Sequence, residues 1–285
     1  MRTYEPNMEI PLFSIIKDMP NDVYHAHNSI SKSGLDLILR SPAHYKFREH
    51  MEPSRAMEIG TAIHTALLEP ERFAKEYVLL KDVKDRRTSE YKQAVSVHGS
   101  ERVLVASEAD NVAGMQAAVF AHPVASSWLG LPGHAELSMF AKDPETGVVV
   151  RIRPDYLTEY GSIVDIKKTQ DARQDAFSKS ISSYRYHVQA AFYMDVYQWV
   201  TGERAESFRF IAIEEKMPHA CMVYKLDDLS IAEGRRLYRQ ALNTYADCIA
   251  SGEWKSYDCD SEEIISLPDW EIRRIENELE VNLGE

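Results

Sequence analysis

Cysteine is scarce in this sequence of 285 residues: there are three, Cys221, Cys248 and Cys259. An odd number at wide spacing excludes a disulfide framework, and no CxxC pair is present to build a zinc or iron–sulfur site, so all three read as free thiols. Long hydrophobic runs are missing too. No stretch of eighteen apolar residues occurs, which excludes an apolar membrane-spanning helix. The N-terminal stretch MRTYEPNMEIPLFSIIKDMP lacks a basic start, an apolar core and a small-residue cleavage site, so the expected location is cytoplasmic, with no membrane partner. Internal repeats and low-complexity linkers are absent as well. One α/β domain spanning 1–285 is therefore expected, with a core of about 20–256 and an acidic C-terminal segment, 257–285.

Excess positive charge is also lacking, since the net charge is −12. Its distribution matters more than its sum. From Tyr257 to Glu285 ten acids face only Arg273 and Arg274, a net of −8, which leaves −4 for the rest of the chain. Between Arg151 and Arg185 the balance reverses, with seven bases against five acids. A local basic surface is one reading of this, but an ordinary solvated face is the safer reading of charge alone.

What is present is a change of period along the chain. Leu35, Ile38 and Leu39 recur at helical spacing after serine capping candidates and stop at Pro42, and Ile59, Ile63, Ala66 and Leu67 form a second stripe over Met57–Leu68. Lys81–Ser100 is polar and reads as a loop or exposed helix, and Ser107–Phe120 as a helix. Ala135–Ala141 then alternates, Asp143-Pro-Glu-Thr-Gly147 is a turn signal, and Val148–Arg153 alternates again, which predicts a β-hairpin. Further strands are expected at Ser162–Lys168, Phe208–Ile213 and Cys221–Leu226, with helices at Ser183–Val200 and Leu229–Ser251.

Chemistry concentrates in Arg153-Pro-Asp155 and Asp165-Ile-Lys167. If Gly161 closes a three-residue turn centred on Tyr160, antiparallel register pairs residues whose numbers sum to 320. Asp155 then lies opposite Asp165 and Arg153 opposite Lys167, all on one face, while Val164 and Ile166 point into the core. Two directly opposed carboxylates repel, and a hard divalent cation neutralises them while taking its remaining ligands from water and phosphate. The Lys167 ammonium would position or activate water and offset transition-state charge, which describes phosphodiester hydrolysis. A surface hairpin tied by Asp–Lys salt bridges is the plain alternative. Gly60 and His64 stand at i, i+4, so a residue without a side chain is expected to clear space beside an imidazole that could ligate the metal; a satisfied core histidine fits the same spacing. Gln189 and Tyr193 share one helical face after the D-x-K strand. Glu136, at the start of the hairpin, could add an acidic group to the same sheet face, but it reads as a solvated surface residue.

Together these segments resemble the RecB-like branch of the PD-(D/E)XK nuclease superfamily, and most closely the exonuclease VIII (RecE) nuclease family. The likeness rests on Asn28-Ser-Ile-Ser-Lys-Ser-Gly-Leu35 with Ser41-Pro-Ala-His-Tyr-Lys46, on Glu58-Ile-Gly60-Thr-Ala-Ile-His64 through Pro70, on Arg151-Ile-Arg-Pro-Asp155 through Thr169, and on Tyr184-Arg-Tyr-His-Val-Gln189-Ala-Ala-Phe-Tyr193, with Gly252-Glu-Trp254 and Leu267-Pro-Asp-Trp270 near the end. The resemblance implies an α/β nuclease core: a central mixed sheet with antiparallel hairpins flanked by helices. It implies Mg²⁺ or Mn²⁺ held by His64, Asp155, Asp165 and the Ile166 carbonyl, Lys167 as catalytic lysine, and Gln189 as part of the catalytic set. Tyr193, with Arg153, Lys168 and Arg185, would meet DNA. It also implies a processive exonuclease of phage or prophage recombination, degrading one strand of duplex DNA from the 5′ end to leave 3′ overhangs. Such an enzyme would act as a ring-shaped homo-oligomer, with a tetramer as one candidate, beside a single-strand annealing protein of the RecT type. An endonuclease on the same fold, or a silent DNA-binding or assembly module, are the competing readings.

Overall fold

Strand Ser162–Thr169 organises the molecule, and its sequence explains why. Its first five residues are all buried, and their side chains divide between two cores by simple alternation: Ile163 joins one, Val164 and Ile166 the other. The computed structural model describes residues 1–49, 52–257 and 262–283, with no side-chain description for 279–283. Among these, the strands are β1 (Arg2–Thr3), β2 (Ser14–Lys17), β3 (Val78–Leu80), β4 (Val103–Val105), β5 (Gly133–Ala135), β6 (Ser138–Lys142), β7 (Val149–Ile152), β8 (Tyr156–Thr158), β9 (Ser162–Thr169), β10 (Ser207–Glu214) and β11 (Cys221–Lys225). The helices are α1 (Asn21–Ala26), α2 (Lys32–Arg40), α3 (Pro42–Lys46), α4 (Arg55–Leu68), α5 (Pro70–Glu76), α6 (Ser89–His98), α7 (Ala106–Ala121), α8 (Pro123–Leu129), α9 (Gln174–Ser183), α10 (Tyr186–Thr201), α11 (Asp228–Ser251) and α12 (Asp269–Leu283).

A five-stranded sheet runs β11-β10-β9-β8-β5, with β9 and β10 parallel and the other neighbours antiparallel. A four-stranded sheet runs β1-β2-β6-β7, and β3 pairs with β4 apart from both. One face of the five-stranded sheet packs on α4 and α7 through Ile59, Ile63, Ala66, Val112 and Met115. The other packs on α2, α10 and α11 through Leu35, Ile38, Val188, Phe192 and Leu242. This is a mixed sheet with antiparallel hairpins between helical layers. Gly234 permits the close approach of α11 to α10, because a Cβ there would sit 2.1 Å from the His187 carbonyl oxygen.

The Asp143–Gly147 turn does close a hairpin, but the hairpin changes sheets half-way. β6 pairs with β7 and β5 with β8 in one unbroken register, so Glu136 falls opposite Asp155 at the bend. There the Glu136 N–H donates to the Asp155 carbonyl at 3.0 Å, and Glu136 takes a left-handed conformation with φ of 49°. On the other strand Pro154, which has no N–H, ends the ladder. The segment Ala135–Ala141 is thus two strands rather than one. The β8–β9 turn has the expected form: Gly161 has φ of +78°, and Tyr156 pairs with Val164, the register that sums to 320. Arg153 is a correction, because it precedes the bend and does not face Lys167. The helix expected over Ser183–Val200 breaks at Tyr184–Arg185, where Arg185 has φ of 50°, and α9 precedes it.

By its internal contacts the chain divides into Met1–Trp254 and Lys255–Glu285, the latter holding α12. Cys221 and Cys248 are free thiols, whereas Cys259 lies outside the described residues. No helix among the described residues is long and apolar enough to cross a membrane.

Candidate metal centre

The site forms where the hairpin bends. Because β8 begins only at Tyr156, the Ile166 N–H and C=O on the adjoining edge of β9 have no strand partner there. Side chains replace it: Asp155 Oδ2 accepts the Ile166 N–H at 2.6 Å, and His64 Nε2 donates to the Ile166 carbonyl at 3.0 Å. His64 arrives from α4, a helix capped by Ser54 and anchored by its Ile59, Ile63 and Ala66 stripe against Val164 and Ile166. Its Nδ1 lies 3.6 Å from Asp155 Oδ1. At Gly60 a Cβ would meet no atom within 4 Å, so the space there is open.

Glu136 is the residue the sequence misassigned. It is half-buried, not solvated, and ligand atoms of His64, Glu136 and Asp155 all lie within 4.8 Å of one another. The signal was available in the hairpin itself. Extending the Met139–Ile152 pairing toward the bend brings Glu136 level with Asp155, and the second register brings Asp155 level with Asp165. Three carboxylates therefore stand in one row across three neighbouring strand segments.

Asp165 is 1% exposed. Its Oδ1 accepts from Gln189 Nε2 at 2.5 Å, and its Oδ2 lies 2.7 Å from Lys167 Nζ yet has no partner in hydrogen-bond alignment. Burial, reinforced by the Asp155 charge and opposed by Lys167, pushes the Asp165 carboxyl up to about 6. Burial and then Asp155 push Glu136 up to about 7. Burial alone would lower the Lys167 pKa, but the carboxylates of Asp165 and Asp155 outweigh it, so Lys167 is held firmly as an ammonium. The Tyr186 ring supports that ammonium 4.6 Å from its centroid, a contact that no local pattern signals.

A divalent cation fits this donor set. Crowded carboxylates, a backbone carbonyl and one imidazole suit a hard ion. His64, Glu136 and Asp155 have ligand atoms close enough to share an ion, and Asp165 and the Ile166 carbonyl, the other expected ligands, stand beside them, bonded to Lys167 and His64.

The four residues expected at DNA have their own partners. Arg153 donates to Ser138 Oγ at 2.9 Å and to the Met19 carbonyl at 3.0 Å, bonds Asn21, and lies 4.1 Å over the Tyr24 ring. Tyr193 is half-buried, edge-on to Phe208 and hydrogen-bonded to the Arg153 main chain. Both hold the hairpin bend in place. Lys168 pairs with Glu215 at 2.6 Å on the opposite face of β9 from Asp165 and Lys167, while Arg185 lies 3.9 Å from Asp36 at the start of α10.

No curated protein matches the sequence. Among solved structures, one from Eubacterium rectale, assigned provisionally as an exonuclease, superposes with a TM-score of 0.58 at 14% identity, covering 88% of this chain and 96% of its own. A phage-related exonuclease from Haemophilus somnus 129PT gives a TM-score of 0.36 at 10% identity over 81% of this chain and 99% of its own. An alkaline exonuclease from Laribacter hongkongensis gives 0.27 at 15% identity over 64% and 97%. Only the first of these bears on the fold, and it agrees with the layers described above. Residues 31–268 match the family described as PDDEXK-like domain of unknown function (DUF3799), and the chain belongs to that family.

Proposed function

We propose that this protein is a divalent-cation-dependent nuclease that hydrolyses DNA phosphodiesters. The observation that carries the reading is that His64, Glu136 and Asp155 bring ligand atoms within 4.8 Å of one another at the hairpin bend, with Asp165 alongside, ion-paired to the Lys167 ammonium at 2.7 Å. Mg²⁺ or Mn²⁺, when bound, supplies charge neutralisation for the phosphate and acidifies water. Gln189 fixes the rotamer of Asp165 through its 2.5 Å hydrogen bond. The Lys167 ammonium is a donor and a positive charge beside the reacting phosphate, so it offsets charge that develops in the transition state. Arg185 meets the DNA backbone beside this site, whereas Lys168, on the opposite face of β9 and paired with Glu215, does not.

In its finer form the proposal is an exonuclease entering at duplex ends and degrading the strand with the 5′ terminus. The 3′ overhang would pass to a single-strand annealing protein of the RecT type in phage or prophage recombination. A ring-shaped homo-oligomer in the cytoplasm, a tetramer being the size to test, would give processivity by enclosing the duplex.

The test uses linear duplex labelled at the 5′ or 3′ end, and covalently closed circular duplex, each with Mg²⁺, Mn²⁺ or EDTA. Metal-dependent release of the 5′ label, with the closed circle intact, is expected. Lys167→Ala should lower the cleavage rate by about 10²–10⁴-fold and leave DNA binding in place. Cutting of the closed circle would make the protein an endonuclease. Binding without hydrolysis under both metals would make it a silent assembly module.

A further inference from the structure

Next to the Lys167 ammonium stands an aromatic surface that the metal chemistry does not use. Tyr186 lies under Lys167, and Tyr184 stacks on Tyr186 with centroids 5.5 Å apart and planes 24° from parallel. Behind them the run continues into the core, with Phe210 5.7 Å and Phe177 6.1 Å from Tyr186. Its outer end is not covered: Tyr184 is 62% exposed. The break between α9 and α10 produces this arrangement, because the left-handed Arg185 turns Tyr184 outward while Tyr186 begins the next helix. A ring that needed only burial would pack beneath the surface; this one offers a flat face to solvent.

The rim of that face carries Lys32 and Arg185 against one acid, Asp36, which lies 2.7 Å from Lys32 and 3.9 Å from Arg185. Lys32 Nζ donates to the Tyr184 carbonyl at 2.6 Å, and Lys32 lies close enough to Lys167 and Asp165 to feel both charges. Arg185 is the intervening residue. An aromatic face bordered by Lys32, Lys167 and Arg185 suits a ligand with a π-face joined to phosphates, which is a nucleotide of a DNA strand.

We infer that Tyr184 is a stacking platform for a nucleobase next to the scissile phosphate, with Tyr186 as its support. The inference rests on the nuclease reading of the adjoining centre and adds to it how the strand is gripped. Stacking is indifferent to base identity, so the platform holds strands of any sequence, as an enzyme that advances along DNA requires.

The experiment is a binding titration with short single strands in Ca²⁺, with 2-aminopurine or an abasic residue scanned through the first few nucleotides. Wild type, Tyr184→Phe and Tyr184→Trp should quench 2-aminopurine at one position, and Tyr184→Ala should not. Base–aromatic stacking contributes about 1–3 kcal/mol, so Tyr184→Ala should weaken binding of the intact strand by about 5- to 150-fold. It should not weaken binding of a strand abasic at that position. Equal losses for intact and abasic strands would assign Tyr184 a purely structural role and overturn the inference. A changed oligomeric mass with unchanged DNA affinity would make the platform a subunit interface and overturn it too. Mg²⁺-dependent cleavage by the wild type, measured alongside, tests the nuclease reading separately: cleavage with no effect of Tyr184→Ala defeats the platform alone.

Discussion

Without metal, this protein should lose stability as the pH rises from about 4 to 7, where most proteins gain it. Asp165 and Glu136 are the cause. Burial lifts Asp165 from 3.8 to about 6, with the neighbouring Asp155 adding to the effect and Lys167 offsetting part of it. Glu136 rises from 4.5 to about 7 for the same first reason, with Asp155 second. A carboxyl whose folded pKa exceeds its unfolded one binds its proton more tightly when folded. Its contribution is therefore complete below the unfolded pKa and disappears as pH climbs through the folded one. At about 1.4 kcal/mol per pKa unit, Asp165 alone accounts for about 3 kcal/mol. Glu136 adds less than its own shift suggests, because both groups respond to the one Asp155 charge. The assay is urea unfolding in EDTA between pH 4.5 and 8 for wild type, Asp165→Asn and Glu136→Gln. Wild-type stability should fall across the window, and each variant should flatten the profile. Added Mg²⁺ should restore the wild type at pH 8 by binding the folded state, and should do little for Asp165→Asn. A wild-type profile that climbs from pH 5 to 7 in EDTA, or variants whose profiles fall as steeply as the wild type's, would refute the reasoning.

Two further outcomes follow from single contacts. Gln189→Ala removes the donor to Asp165 Oδ1; it should lower nuclease activity by about 10- to 100-fold and raise the Mg²⁺ needed for half-maximal rate, read in a metal titration. Gly234→Ala forces a Cβ against the His187 carbonyl, 2.1 Å away, so α11 must withdraw from α10. A loss of about 1–3 kcal/mol is expected in denaturant unfolding, with the metal affinity of the folded protein unchanged.

Much of the centre was legible locally. Asp155 and Asp165 face each other because a short turn with Gly161 in the left-handed region fixes the register, and a two-residue period then sends Val164 and Ile166 inward. Turn chemistry and alternation are properties of neighbouring residues, so the chain sequence suffices for them. The hydrophobic stripe of α4 was equally plain, whereas α9, with a polar serine-rich sequence, was not.

What only tertiary structure decided is the company those residues keep. One hairpin carries both sheets because its ladder bends at Glu136 and Pro154, and that bend turns a residue resembling a solvated glutamate into a neighbour of Asp155. The same interruption frees the Ile166 backbone groups that Asp155 and His64 then satisfy. It also removes Arg153 from the Lys167 row and commits it to Ser138, Met19 and Tyr24. Tyr186 comes beneath Lys167 only because α10 crosses the face of β9 on which Asp165 and Lys167 stand. Sequence by itself determined which side chains can share a strand face. Packing of distant helices and the bend between sheets determined which of them share a charge, because electrostatic neighbours are set by distance in space and not by separation along the chain.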